Sequence, residues 1–324
     1  MDALKAPEGS RPMRRHLILG GAGFIGCALA SHLVEAGHAV VIADRRSPAR
    51  AWLERLGNRA SYAEFDLGAV DWDMLVDGVD VVHHLAWSSI PSIADADPAR
   101  DLAENVLPTV GLLEALRRRG AAAPRLVFAS SGGTVYGPVR RSPTPEDHLL
   151  APITAYGVSK VAVELYLSQY RAAYGLDCRV ARLANPYGSG QDHSRGQGAV
   201  TAFVHRACAG LPIEIWGDGG VVRDYIEISD AAAGLAALAT AELRPGQPRT
   251  YNIASGSGLS LNGVIHEIES LLGRPLVVKR TAGRPFDVPV NVLDISSAGK
   301  HLGWQPVLSF KDGLKKMMTA LGCN

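Results

Sequence analysis

Short apolar runs alternate with amphipathic stretches through the first half of the chain. The runs at 16–19, 39–43, 61–65, 79–85, 126–129 and 178–183 are rich in β-branched and aliphatic residues, as buried strands are. Between them, 24–36, 49–56, 99–118 and 155–174 repeat apolar residues at helical spacing. Strands separated by helices of this length predict right-handed crossovers and an α/β fold, a Rossmann doubly wound parallel sheet. After Asn185-Pro186-Tyr187-Gly188 the pattern shortens and Gly and Pro become frequent. Strands are expected at 213–216 and 224–228, and helices from Ser229, Ser260 and Ser309, each serine serving as an N-cap. This divides the chain into a flexible tail over 1–14, a Rossmann domain over 15–184 and a smaller α/β domain over 185–324. The stretch near 226–255 is expected to return to the first domain. A ligand cleft then falls between them, outside the carboxyl ends of the strands.

The first strand runs into Gly20-Gly21-Ala22-Gly23-Phe24-Ile25-Gly26, which opens a helix. Gly20 permits a tight turn, Gly23 lets a pyrophosphate approach the backbone, and Gly26 lets helix and strand pack closely. The helix amides, those of Phe24 and Ile25 among them, then meet the phosphates. Asp44 ends the second strand, where a carboxylate accepts from ribose hydroxyls and repels a 2′-phosphate, favouring NAD over NADP. Arg45 and Arg46 follow it and read as loop charges beside that site. Asp66-Leu67 follows the third strand, at reach of an adenine edge, although an Asp satisfying a turn amide fits equally well. Leu85-Ala86-Trp87 ends the fourth, where small residues let a cofactor lie against the backbone.

Tyr156-Gly157-Val158-Ser159-Lys160 sets a phenol and an ammonium four residues apart, on one helix face. A phenol is a poor base at neutral pH, with an ordinary pKa of about 10. A nearby ammonium and a positive nicotinamide are expected to lower it and make Tyr156 a general base. Lys160 can also hydrogen-bond the nicotinamide ribose.

Composition narrows the field. A net charge of +1, with Arg and Lys scattered in pairs or one short run, excludes a nucleic-acid footprint. No apolar run is long enough for a membrane span, and the first residues lack a signal-peptide core. The four cysteines, Cys27, Cys178, Cys208 and Cys323, show neither C-x-x-C nor metal-ligand spacing; free thiols packed as small hydrophobes, no metal and a cytoplasmic setting are expected.

Taken together, GGAGFIG, Asp66-Leu67, His84-Leu85-Ala86, Asn105-Val106, the SSGGTVYG stretch from Ser130 to Gly137, YGVSK, RLANPYG from Arg182 to Gly188 and Arg223-Asp224-Tyr225-Ile226 resemble the extended short-chain dehydrogenase/reductases. Within these, the chain is most similar to the nucleotide-sugar epimerases and dehydratases typified by UDP-glucose (UDP-galactose) 4-epimerase. The resemblance implies tightly bound NAD, a UDP-sugar partner, a homodimer built on the 99–118 and 155–174 segments, and hydride transfer within the sugar. It places Asn105 and Pro186 at the cofactor, and Ser89, Asn185, Trp216, Arg223, Arg284 and Asp287 at the nucleotide sugar. Asn291 falls at a gate position beside the sugar, small enough to admit a 2-acetamido group. The catalytic Ser or Thr of the family falls on Gly132, so its hydroxyl must come from Ser131 or Thr134, or Tyr156 acts directly. The expected reaction is a UDP-hexose 4-epimerisation. The alternatives are a 4,6-dehydratase or decarboxylase, which would need carboxylates where Gly133 and Thr134 stand, and a non-catalytic NAD-binding protein.

Overall fold

A computed structural model describes residues 13–192, 198–282 and 288–323. Six strands build the first half: β1 (Arg15–Leu19), β2 (Ala39–Asp44), β3 (Ala60–Glu64), β4 (Val81–His84), β5 (Arg125–Ser131) and β6 (Cys178–Leu183). The remainder are β7 (Asn185–Tyr187), β8 (Ile213–Trp216), β9 (Val222–Glu227), β10 (Thr250–Ile253), β11 (Gly258–Ser260), β12 (Val278–Thr281) and β13 (Val290–Asn291). The main sheet runs β3-β2-β1-β4-β5-β6-β10, parallel throughout. This is the Rossmann α/β architecture, and its strand order reverses between β1 and β4, opening a crevice at their carboxyl ends.

Helices cover both faces, which is why the strands read as continuous apolar runs. Ile18, Val40, Ile42 and Val127 pack beneath the helices Phe24–Glu35 and Ile228–Thr240. Leu17, Leu19, Val82 and Phe128 face the helices Leu107–Arg119 and Ala155–Tyr174. β10 joins β6 at the sheet edge, although it lies far along the chain. A separate core gathers Tyr187, Phe203, Ile213, Val264, Leu314 and Met317 around the short sheets formed by β7, β9, β11 and β13 and by β8 with β12.

One expectation is refined and two change. The helix expected over 99–118 is present but not uniform: an α-helical turn Pro98–Asp101, a π-helical segment Leu102–Val106 and the helix Leu107–Arg119 follow without a break. Pro108 lacks the amide that an uninterrupted α-helix would use there. Ser229 is not the N-cap of its helix: the Glu227 side chain caps it, accepting from the Ser229 amide at 2.6 Å. The serines at 260 and 309 do cap theirs. Cysteine usage also differs, because Cys208 and Cys323 form a disulfide joining the end of the helix Ala199–Cys208 to the C-terminal segment. Residues 115 positions apart carry no spacing signal; only the fold brings them together. The expectation of four free thiols is thereby corrected, and the cysteines no longer argue for a reducing setting. Cys27 and Cys178 are free, and burial pushes their thiols up to about 11 and about 12. Among the described residues no helix is long and apolar enough to cross a membrane, and no group of His, Cys, Asp and Glu could hold a metal.

Candidate active site

At the end of β1 the backbone turns within van der Waals limits. Gly20 has φ +79°, and a Cβ there would lie 2.9 Å from the Ala86 amide nitrogen. A Cβ on Gly26 would lie 2.5 Å from the Gly20 carbonyl oxygen and 2.6 Å from Gly21 Cα. Gly23 differs: its Cβ would meet only the Gly20 oxygen, at 3.2 Å. Gly23 is also the N-cap of the helix Phe24–Glu35, with no side chain to cap it. The first-turn amides of Phe24, Ile25 and Gly26 therefore border an open glycine surface, the arrangement that a dinucleotide pyrophosphate fits.

Asp44 stands beside this turn, accepting from the amides of Ala22 at 3.1 Å and Arg46 at 3.2 Å. A carboxylate has about four acceptor positions, so two remain for ribose hydroxyls. Arg45 is exposed. Asp66 is exposed as well and accepts from the Gly68 amide at 3.0 Å, the local-turn arrangement. Leu67, Leu85 and Ala86 are half-buried along the crevice. Asn105 is fully buried and tied to Ser88 and Asp101, so its amide orders the loop after β4.

The helix Ala155–Tyr174 starts at Thr154, whose hydroxyl accepts from the Gly157 amide, and Asp95 accepts from the Ala155 amide at 2.6 Å. Two caps on one helix start fix the position of Tyr156. Lys160 is buried, donates to the Ala129 carbonyl at 2.9 Å and lies 3.6 Å above the Trp87 ring centroid. Trp87 in turn meets Tyr156 edge-on, ring centroids 6.0 Å apart. Burial pulls the Lys160 ammonium down to about 7, against the opposing charges of Asp101 and Glu164. Burial first, and the Asp101 charge second, hold the Tyr156 phenol well above its ordinary value. The protein's own charges therefore do not make Tyr156 a ready base.

β5 ends beside this pair. Ser130 donates to Glu164 at 2.5 Å, and Glu164 is gripped by Arg182 through both carboxylate oxygens. Arg182 also donates to the Tyr136 hydroxyl at 3.0 Å, so it holds both ends of the turn over 131–136. Gly132 is enclosed: a Cβ would sit 2.4 Å from Leu293 Cδ1. Above Gly133, Ser131 Oγ and Asn185 Oδ1 lie 3.8 and 3.9 Å from where a Cβ would stand. Those two side chains face one spot, while Thr134 Oγ1 is buried without a protein partner.

Asn185 donates to the Asp224 carbonyl at 2.8 Å, and Pro186 follows it in β7. Asn291 is 2% exposed and donates to the Gly132 carbonyl at 3.1 Å, so it joins β13 to the β5 turn. Arg223 donates to the carbonyls of Val222 and Val288. Trp216 is 54% exposed at the end of β8. Ser89 is buried and donates to Asp101. Arg284 and Asp287 lie outside the described residues.

Sequence reasoning passed over Asp101, Glu164 and Arg182. Asp101 reads locally as one more charge on a helix face, and only its burial marks it. Four buried polar atoms in this region, Trp87 Nε1, Asp101 Oδ2, Thr134 Oγ1 and Asn291 Oδ1, have no partner within the protein. Buried polar groups are normally satisfied, so such a concentration marks a ligand site.

Known proteins resemble this chain in sequence and fold. A UDP-glucose 4-epimerase of Mycolicibacterium smegmatis is 34% identical over 313 residues, covering 93% of this chain and 96% of that protein. The dTDP-4-dehydro-6-deoxyglucose reductase of Escherichia coli is 33% identical, covering 95% and 97%. The crystal structure of a UDP-glucose 4-epimerase with UDP-glucose from Thermotoga maritima superposes with a TM-score of 0.85 at 32% identity, covering 95% of this chain and 98% of that one. The profile of the NAD dependent epimerase/dehydratase family matches residues 16–254. By that match, and by relatives spanning nearly its whole length, the chain belongs to the NAD dependent epimerase/dehydratase family.

Proposed function

We propose that the chain catalyses NAD-dependent 4-epimerisation of a UDP-hexose through a transient 4-keto sugar. The observation that carries this reading is Tyr156 and Lys160 at the carboxyl end of β5, beside a glycine turn shaped for a dinucleotide. NAD, when bound, supplies a reversible hydride acceptor and a positive ring. Tyr156 would take the O4 proton, its burial offset by positive charge at the cofactor site. Lys160 spends one N–H on Ala129, leaving two for ribose hydroxyls. Ser131, accessible and opposite Asn185, supplies the hydroxyl that Gly132 lacks. Asn185 and Arg223 serve the diphosphate with Arg284, Trp216 stacks on the base, and Asp287 serves the ribose.

The relatives include a reductase and a UDP-glucuronic acid decarboxylase of Arabidopsis thaliana, so membership alone does not select the reaction. Dehydration and decarboxylation both need acid–base groups that Gly133 and Thr134 do not provide, which favours epimerisation. The test is to incubate the NAD-loaded protein with UDP-glucose, UDP-galactose, UDP-N-acetylglucosamine and UDP-glucuronate and follow the sugars by NMR. Formation of a 4-epimer, lost in Tyr156→Phe, supports the reading; no isomer from any of them sinks it.

The assembly proposed is a homodimer. Leu107, Val158, Leu165 and Tyr166 are exposed apolar residues on the helices Leu107–Arg119 and Ala155–Tyr174. Two copies pairing these faces would bury them as a four-helix bundle. A monomeric mass for the wild-type protein by light scattering would exclude it.

A further inference from the structure

Two buried carboxylates, Glu164 on the helix that carries Lys160 and Asp101 on a segment packed against that helix, are held in opposite ways. Glu164 is matched by the Arg182 guanidinium and by Ser130. Asp101 is 2% exposed, and among the described residues no cation forms an ion pair with it. Its Oδ1 accepts from Ser89 Oγ and from Asn105 Nδ2 at 3.0 Å, while Oδ2 is buried without a partner. The segment Pro98–Asp101 that carries it packs against the helix bearing Tyr156 and Lys160. Through Asn105 and Ser88 the carboxylate is fastened to the loop whose Trp87 covers the Lys160 ammonium.

An ionised carboxylate is costly to bury without an opposite charge. On the helix against which this segment packs stands Lys160, whose protein hydrogen bond goes to a neutral carbonyl. We infer that Asp101 is a positioning residue that keeps Lys160 in its ammonium form, and so sets the pH range over which Tyr156 works. The inference rests on the proposed reading of Tyr156 and Lys160 as the reacting pair.

The groups facing Lys160 are few. β5 offers the Ala129 carbonyl and the Phe128 ring, and β4 offers His84, held neutral by burial and by the Lys160 charge. The loop after β4 offers Trp87. Its own helix offers Tyr156 and Glu164, and Glu164 is tied to Arg182. Asp101 is thus the acid left to balance it. Removing the Asp101 charge should lower both Lys160 and Tyr156, because that charge disfavours deprotonation of each.

Asp101→Asn keeps the size and hydrogen-bonding capacity of the side chain and removes the charge; Asp101→Glu restores the charge. The Lys160 ammonium can be followed without turnover by NMR of lysine labelled with ¹³C at Cε, with Lys160→Met assigning the signal. The expected result is a midpoint lowered by about one unit or more in Asp101→Asn and recovered in Asp101→Glu. The pH profile of kcat should move the same way, with NAD content retained. Asp101→Ser gives the same reading should the amide variant not fold. An unmoved Lys160 midpoint overturns the inference, whatever happens to the rate. A lowered midpoint in a protein that epimerises no UDP-sugar would uphold the charge relation and defeat the proposed reaction; an active enzyme with an unmoved midpoint would do the reverse.

Discussion

At the Gly20–Gly26 turn, backbone meets backbone: Gly26 against the Gly20 carbonyl, Gly20 against the Ala86 amide. Around Tyr156 and Lys160, side chains contributed by β4, β5, β6 and the segment before Asn105 meet instead, several of them charged and buried. The first region is set by close backbone contact at Gly20 and Gly26. The second is held by hydrogen bonds and opposed charges, so its chemistry depends on each partner. Substitutions should therefore act sterically in the turn and electrostatically in the pocket.

The largest effect expected in the pocket is on turnover. Ser131→Ala should lower kcat by about 10²–10⁴-fold, and Thr134→Ala should lower it less. Steady-state rates with the active UDP-sugar decide this, and the opposite ranking would move the role to Thr134. Next, Arg182→Met strands Glu164 and should cost about 3–5 kcal/mol in urea unfolding. The double variant Arg182→Met/Glu164→Leu should regain most of that stability; if it does not, the pair is not acting through its charges.

The turn is probed by a matched pair. Gly26→Ala forces a Cβ onto fixed backbone and should destabilise by about 1–3 kcal/mol while releasing NAD. Gly23→Ala meets only one atom, at 3.2 Å, so it should fold normally and weaken NAD binding alone. Equal loss of stability in both would break the contrast. Acid makes the gentlest probe, at the amino end of the sheet. His16 and His83 share a buried 2.9 Å contact, and burial lowers them to about 2 and about 3. They stay neutral in the folded chain and take protons near pH 6.5 only when it unfolds. Their stabilisation is full above that pH and is lost as pH falls towards 3, by up to about 1.4 kcal/mol per unit for each group. A flat unfolding free energy between pH 7 and pH 5 would contradict this, and His83→Gln should shallow the slope.

Much of the first half is legible in the chain order. The helix Ala155–Tyr174 and the strand Cys178–Leu183 fall where the apolar spacing predicts, because both bury one contiguous set of residues. The glycine turn is legible for the same reason: its requirements lie within seven consecutive residues. Asp101 is not, because a single acid on a helical stretch reads as solvated until the neighbouring helix covers it. The bond from the Asn291 amide to Gly132 is not legible either. Nor does the spacing of Cys208 and Cys323 announce a bond.

The amino-acid sequence by itself determined the alternation of strand and helix, the cofactor turn and the Tyr156–Lys160 face, since each depends on periodicity or steric fit among near neighbours. Only the tertiary structure decided which charges those groups meet. Electrostatic coupling depends on distance and burial: Glu164 stands one turn from Lys160 on the same helix, whereas Asp101 and Arg182 come from separate elements. For that reason the identity of the reacting pair is local, while its protonation belongs to the fold.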